Sequence, residues 1–300
     1  MNNQNTKGII LAGGTGSRLY PLSKIYSKQL VAVFDKPMIY YPISTLISAG
    51  ISEILIISDE AMLAIYQKMF GTGKKLGLKI DYAIQAEPNG IAEAFIIGKD
   101  FINSNNVALI LGDNIFYGTD NIFFDAVKKA NTVDNFSGII FALYVNAPER
   151  YGVVKFSDKQ TPQEIIEKPK KYISNYAVPG FYIYNSSVVR VAENLKPSAR
   201  GELEITDINN YFLKNENLEV ITLQTGVTWL DCGTPNSLLN ASNFIASIEG
   251  RHGVKLGCYE EAAYKMKFVT NEKLLDYSNE LPDCDYKNYL IGRNGCTHSG

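Results

Sequence analysis

The 300-residue chain is expected to fold as an α/β protein, with a mixed, mainly parallel sheet that carries helices on both faces. Three observations predict this. The segment GIILA at 8–12 is short and apolar throughout, as a strand buried on both faces requires, and a glycine-rich turn follows it at once. Apolar runs then alternate with amphipathic stretches through the first half, the pattern of parallel strands joined by crossover helices. From about Ser137 the pattern changes to strand-rich segments with turns, which adds a second part to an otherwise Rossmann-like arrangement.

In chain order, strands are expected over 8–11, 53–58, 79–83 and 108–111. Between them helices are expected over 38–49, stopped by Gly50, over 60–69 and over 91–101. The second part reads as strands over 138–144, 151–156, 164–167 and 178–184. A helix over 234–249 has Thr234 as its N-cap and Pro235 at its first position, where a missing N–H does no harm. Beyond Arg251 comes a tail of about fifty residues, helical in part. With no repeat, low-complexity run or obvious linker, the chain reads as one cooperative unit with appendages.

Composition narrows the functional classes. Hydrophobic residues make up 46% and charged residues 20%, ordinary for a soluble globular protein. The net charge of −2 provides no basic field for nucleic acid, so any affinity for phosphate must come from a few placed cations. No run approaches a membrane span, and MNNQNTK lacks the apolar core of a signal peptide, so a soluble cytoplasmic protein is expected. Cys232, Cys258, Cys284 and Cys296 form no CxxC pair, and only His252 and His298 could join them as ligands. Neither a structural zinc site nor a disulfide framework is expected.

In open sheets of this kind ligands bind beyond the carboxyl ends of the strands, where 13–18, 85–90 and 112–114 fall. Gly13, Gly14 and Gly16 lack a Cβ and permit positive φ, so their N–H groups can face phosphate oxygens, with the Thr15 and Ser17 hydroxyls as further donors. Arg18 and Lys28 add full charge. A dinucleotide fingerprint would need glycine where Leu19 stands, and a Walker loop would need lysine where Gly14 stands. A ligand-free glycine turn is the plainer reading, and the two cations weigh against it. Asp113 follows one apolar run and Asp231 ends another; two such carboxylates can share a magnesium ion whose remaining ligands are phosphate oxygens and water. Each alone reads as a turn residue.

The order GGTGSRL, SKQL, FDKPMIYYP, LGDN, PERYGVV, EKP, SNYAV, RGELEITD and WLDCGT resembles the sugar-1-phosphate nucleotidylyltransferase family, and within it the branch that uses dTTP. The resemblance runs from about Lys7 to about Tyr264. It implies Mg2+-dependent, in-line attack of glucose 1-phosphate on the α-phosphorus of dTTP, giving dTDP-glucose and pyrophosphate, the first step toward dTDP-rhamnose and cell-surface polysaccharide. It also implies a homotetramer, a catalytic core over 1–250 with a nucleotide part at 1–136 and a sugar part at 137–233, and a helical appendage over 251–300 for regulation or assembly.

Residue by residue, the resemblance implies Arg18, Lys28, Asp113, Lys168 and Asp231 as catalytic, with Asp113 and Asp231 holding the metal. It assigns the nucleotide to Leu11, Gly13, Gly14, Thr15, Gly16, Ser17, Arg18, Gln29, Gln85, Gly90 and Asp113. The sugar phosphate falls to Tyr151, Gly152, Glu167, Lys168, Val178 and Arg200, although Tyr151 reads equally as a core aromatic. A second nucleotide-sugar site would involve Gly118, Lys255, Glu261 and Ala262, with Ile122 and Thr225 replacing polar or cationic residues of the pattern. Cys232, Ala32 and Pro179 also depart from it, at positions commonly threonine, proline and a small polar residue. Rival readings are a relative using UTP, CTP or GTP or another hexose phosphate, and a silent nucleotide-sugar sensor, which need not keep both aspartates. A dehydrogenase is weakened by Leu19.

Overall fold

The computed structural model describes residues 5–14, 16–25 and 27–295. Thr15, Cys296 and His298 lie outside the described residues. The first half contains β1 (Thr6–Leu11), β2 (Ala32–Val33), β3 (Lys36–Pro37), β4 (Glu53–Ser58), β5 (Lys79–Ile84), β6 (Asn106–Leu111) and β7 (Asn114–Tyr117). Its helices are α1 (Tyr40–Ser48), α2 (Glu60–Phe70), α3 (Glu93–Ile97), α4 (Lys99–Ile102) and α5 (Asp120–Thr132). The second half adds β8 (Gly138–Tyr144), β9 (Gly152–Phe156), β10 (Pro162–Glu167), β11 (Tyr176–Ala177), β12 (Phe181–Tyr184), β13 (Leu218–Thr222) and β14 (Thr228–Asp231). Its helices are α6 (Val188–Glu193), α7 (Ile205–Asn215), α8 (Pro235–His252), α9 (Tyr259–Lys265), α10 (Asn271–Asn279) and α11 (Asp285–Gly295).

Ten strands form one sheet in the order β10-β9-β11-β8-β12-β6-β1-β4-β5, with β13 on the same edge of β8 as β11. β6, β1, β4 and β5 run parallel, whereas β12 is antiparallel to both β6 and β8 and turns the sheet into the second part. Successive residues of a strand face opposite sides, which is why β1 is apolar throughout. Ile10 packs with Ile43, Tyr66 and Phe123 on one face, and Ile9 packs with Phe95, Val189 and Phe212 on the other.

Two expected elements are split. The helix expected over 91–101 breaks at Gly98, whose backbone lies so close over β1 that a Cβ there would stand 2.8 Å from Ile9 Cδ1. The strand expected over 178–184 is assigned only from Phe181: the Gly180 N–H turns to the Asn114 side chain at 3.1 Å, while its carbonyl still accepts from the Leu111 N–H at 3.0 Å. The helix expected from 38 starts at Tyr40. No helix was expected where α5 stands, yet Phe123, Ala126, Val127 and Ala130 bury one of its faces. The α8 N-terminus agrees with expectation: Thr234 Oγ1 accepts from the Ser237 N–H at 3.2 Å, and the Ser237 hydroxyl accepts from the Thr234 N–H at 2.9 Å. Such a box satisfies two otherwise unpaired donors.

The end of the chain completes the same core. Tyr259 of α9 meets the rings of Tyr40 and Phe70 at 5.3 and 5.5 Å, and Ala262 and Ala263 are buried with them against the sheet. Among the described residues, no helix is long and apolar enough to cross a membrane.

Candidate active site

The site begins where β1 ends. The Ala12 N–H donates to the Ile57 carbonyl at 2.8 Å, and the Gly112 N–H donates to the Leu11 carbonyl at 2.9 Å, so the loops after β1, β4 and β6 leave the sheet at one level. Gly14 and Gly16 have φ of +105° and +56°, the conformation expected of the turn. Gly13 differs from expectation: its φ is not positive, and it is glycine because a Cβ would stand 2.6 Å from Gln85 Oε1. Gln29 is buried beneath the turn and donates from Nε2 to the Gly13 carbonyl at 3.3 Å.

Two cavities open along this edge. The smaller, about 280 Å³, is lined by Leu11, the three glycines of the turn, Ser17, Lys28 and Gln29. The larger, about 410 Å³, lies over the second part and is lined by Tyr151, Gly152, Glu167, Lys168, Val178, Arg200 and Asp231. Arg18, Ile91, Leu111 and Asp113 line both. The residues expected at the nucleotide and those expected at the sugar phosphate are therefore brought together across one shared wall. Gln85 and Gly90, expected at the nucleotide, are in the lining of neither cavity.

The two aspartates meet through strand pairing. β14 runs antiparallel to β7 with Asp231 opposite Asn114, and the Cys232 N–H donates to the Asp113 carbonyl at 3.2 Å. The Lys28 ammonium pairs with Asp113 Oδ2, while Asn114 Nδ2 donates to Oδ1 at 2.7 Å. Asp231 accepts from the Tyr151 hydroxyl at 3.4 Å and faces the Arg150 guanidinium at 3.5 Å. A Cβ on Gly233 would stand 2.9 Å from both Arg18 Nη2 and Asp231 Oδ1, so the small residue there lets guanidinium and carboxylate close around it. Burial, then the charges of Asp113 and Asp231, push the Cys232 thiol up to about 12, which keeps it neutral beside both carboxylates. Burial and the Asp231 charge likewise raise the Tyr151 phenol.

Across the larger cavity, Glu167 accepts from the Thr206 hydroxyl at 2.6 Å and lies 3.3 Å from both Lys168 and Arg200. Lys168 has φ +41° and its N–H donates to the Tyr151 carbonyl at 3.0 Å. Arg200 donates to both Glu204 oxygens, at 2.8 and 2.7 Å. The Val178 N–H donates to the Gly152 carbonyl at 2.8 Å, tying two of the expected sugar contacts to each other. Gly90 has φ +110° and lies against Leu203, whose N–H donates to the Asn89 carbonyl at 2.7 Å and whose carbonyl accepts from Ala92 at 3.2 Å.

Sequence reasoning missed several contributors. Asn114 Oδ1 accepts from Trp229 Nε1 at 2.6 Å as well as from Gly180, and Trp229 packs its ring 4.7 Å from that of Tyr151. Both lie inside quoted motifs, LGDN and WLDCGT, which was the available signal. Glu204 and Thr206 were within RGELEITD, and Glu93, which holds Gln85, lies in AIQAEPNGIAEAF, the stretch that contains Gln85 and Gly90. The residues expected at a second site are engaged locally. Gly118 faces the Gly226 carbonyl, Lys255 pairs with Glu249 at 3.0 Å, Glu261 accepts from the Tyr289 hydroxyl at 2.8 Å, and Ala262 is buried.

Comparison with known proteins finds relatives along most of the chain. A glucose-1-phosphate thymidylyltransferase of Actinoplanes sp. is 45% identical over 289 residues, covering 96% of this chain and 94% of its own length. One from Mycolicibacterium smegmatis is 46% identical, covering 95% of this chain and 98% of its own. Among solved structures, a provisionally named glucose-1-phosphate thymidylyltransferase from Bacillus anthracis, in complex with a sucrose, superposes with a TM-score of 0.72 at 39% identity, covering 80% of this chain and 94% of that one. A UDP-glucose pyrophosphorylase complexed with UDP-glucose shares the fold, with a TM-score of 0.70 at 22% identity over 81% of this chain and 99% of that one. The nucleotidyl transferase family model matches residues 7–248, and with these relatives it identifies the chain as a member of the nucleotidyl transferase family.

Proposed function

We propose that the chain transfers a thymidylyl group from dTTP to glucose 1-phosphate, giving dTDP-glucose and pyrophosphate. The observation that carries this reading is the pair of cavities separated only by the wall that contains Arg18 and Asp113, with cations on both sides. A triphosphate fits the glycine turn and a sugar phosphate fits the larger cavity, so the phosphorus under attack comes to the shared wall.

Transfer needs no protein nucleophile. An oxygen of the sugar phosphate forms the new bond to the α-phosphorus as the bond to the β-phosphate oxygen breaks, and pyrophosphate leaves in line. Backbone N–H groups of Gly14 and Gly16, with Ser17, hold the triphosphate, while Arg18 and Lys28 neutralise charge on it and on the leaving group. Lys168 and Arg200 take the acceptor phosphate; Glu167, Tyr151, Gly152 and the Val178 backbone take the hexose hydroxyls. The donor chemistry suits magnesium: among the described residues no cluster of three or more His, Cys, Asp or Glu stands ready to hold a metal, and an ion that draws most ligands from phosphate and water needs only Asp113 and Asp231. When bound, it would supply further neutralisation at the α-phosphate.

Cytoplasmic location, a homotetramer, and a catalytic core over 1–250 with a nucleotide part at 1–136 and a sugar part at 137–233 belong to the same proposal, as does a regulatory or assembly role for 251–300, whose Tyr259, Ala262 and Ala263 pack into the main core rather than standing apart as an appendage. So does feedback by a nucleotide sugar at Gly118, Lys255, Glu261 and Ala262, where a ligand would displace the partners Lys255 and Glu261 now hold. Pyrophosphate release measured with glucose 1-phosphate and each of dTTP, UTP, dCTP and GTP tests the assignment. The expected result is dTTP first with UTP within about 1–3 kcal/mol, since only the base methyl group and the 2′-hydroxyl distinguish them and a pocket rejects such small differences weakly; a clear preference for dCTP or GTP would overturn it.

A further inference from the structure

We infer that Glu93, which lies outside the linings of both cavities, is a positioning residue that fixes the sense of the Gln85 amide and thereby excludes cytosine from the nucleobase site. This rests on the reading above, in which the turn at Gly13 receives a pyrimidine nucleotide. A glutamine amide is nearly symmetric in shape but not in chemistry: one end donates and the other accepts. Left free, such a group turns by half a rotation and serves either kind of partner.

Here it is not free. Gln85 is buried, 6% exposed, and its Nε2 donates to Glu93 Oε2 at 2.7 Å. A carboxylate only accepts, so the reverse rotamer would face two acceptor oxygens with little water to separate them. Glu93 is itself held, because its other oxygen accepts from Asn89 Nδ2 at 2.9 Å. The Gln85 N–H donates to the Ser58 carbonyl at 2.8 Å, which anchors the residue at the end of β4. Gln85 Oε1 is thereby turned toward Gly13, 2.6 Å from where a Cβ on that glycine would stand, and takes no hydrogen bond from any described residue.

An acceptor fixed at that edge pairs with a ring N–H. Thymine and uracil carry one at N3, whereas cytosine presents a lone pair there. Glu93 therefore acts through Gln85 as a filter between the two kinds of pyrimidine, while the thymine methyl is read elsewhere.

The test is the inhibition constant of dCTP against dTTP turnover, together with kcat/KM for dTTP, in the parent, Glu93→Gln, Glu93→Asp and Gln85→Ala. In Glu93→Gln the partner can donate as well as accept, so the Gln85 amide is released. The ratio of dCTP to dTTP affinity should rise by about tenfold or more, in the direction of the discrimination that unpaired polar groups impose. Glu93→Asp keeps an acceptor-only partner and should hold the ratio within a few-fold of the parent even if both affinities drop. With Gln85→Ala in the background, Glu93→Gln should leave the ratio unchanged. A purely structural role would weaken both nucleotides by the same factor in every variant, and that result overturns the inference. Should Glu93→Gln fail to fold, the Glu93→Asp and Gln85→Ala ratios decide: a ratio that shifts alike in both sinks the proposal. A parent that itself prefers dCTP would refute thymidylyl transfer instead, so the two failures are distinguishable.

Discussion

Asp113→Asn should damage the fold as well as the chemistry, because the residue has two duties. The Lys28 side chain is 9% exposed and that of Asp113 22%, so the amide variant would leave a nearly dry ammonium without its counter-charge. Removing one partner from a buried pair costs about 3–5 kcal/mol, and the partial exposure of Asp113 brings that to about 2–3 kcal/mol. With an unfolding entropy of about 2.1 cal/mol/K per residue, a chain this long should lose about 3–5 °C in Tm. Lys28→Met should cost only about 1 kcal/mol, since Asp113 keeps the Asn114 amide and some water. The double variant should be more stable than the sum of the singles predicts, as coupled neighbours are. Thermal scans without nucleotide or divalent ion read these terms alone, and pyrophosphate release should fall about 10²–10³-fold in each single variant. The reasoning fails if Asp113→Asn moves Tm by less than about 1 °C, or if the two changes add.

Gly90→Ala should weaken acceptor binding through backbone alone. At φ +110° a side chain is strained, and its Cβ would stand 2.4 Å from the Leu203 carbonyl oxygen, so the Leu203 bonds to Asn89 and Ala92 must give way. We expect a loss of about 2–4 kcal/mol in urea unfolding and a raised KM for glucose 1-phosphate, because Arg200 lies three residues before Leu203; an unchanged KM would count against the link. Alkaline pH should destabilise the chain through Cys232. Its thiol titrates at about 12 when folded against 9.0 otherwise, so stability is fully present below pH 9 and declines by up to about 1.4 kcal/mol per unit as pH rises toward 12. Urea midpoints from pH 8 to 10.5 should fall less steeply in Cys232→Thr than in the parent, and equal slopes would refute the assignment.

What was legible in the sequence is what a local pattern can carry. β1, β4 and β6 announced themselves as apolar runs and β5 as a shorter alternating segment, and the loops after β1 and β6 supply residues that line the two cavities. Thr234 and Pro235 gave the start of α8 because capping is a matter of a few adjacent atoms. The contacts that shape the site are not local. Asn114 and Trp229 are 115 residues apart and meet only because β7 and β14 pair, and Glu93 reaches Gln85 from a helix whose break at Gly98 is dictated by the strand beneath it. Gly13 shows the same limit: glycine was expected for its torsion and proved necessary for its neighbour.

The aromatic seam where Tyr259 closes over Tyr40 and Phe70 has a consequence during synthesis. Its two sides are translated roughly two hundred residues apart, so at about 5–20 residues per second the growing chain carries a bare apolar face for about 10–40 s before the covering helix exists. A chain released early, at Arg251, should therefore bind a hydrophobic dye more strongly and aggregate more readily than the 300-residue chain.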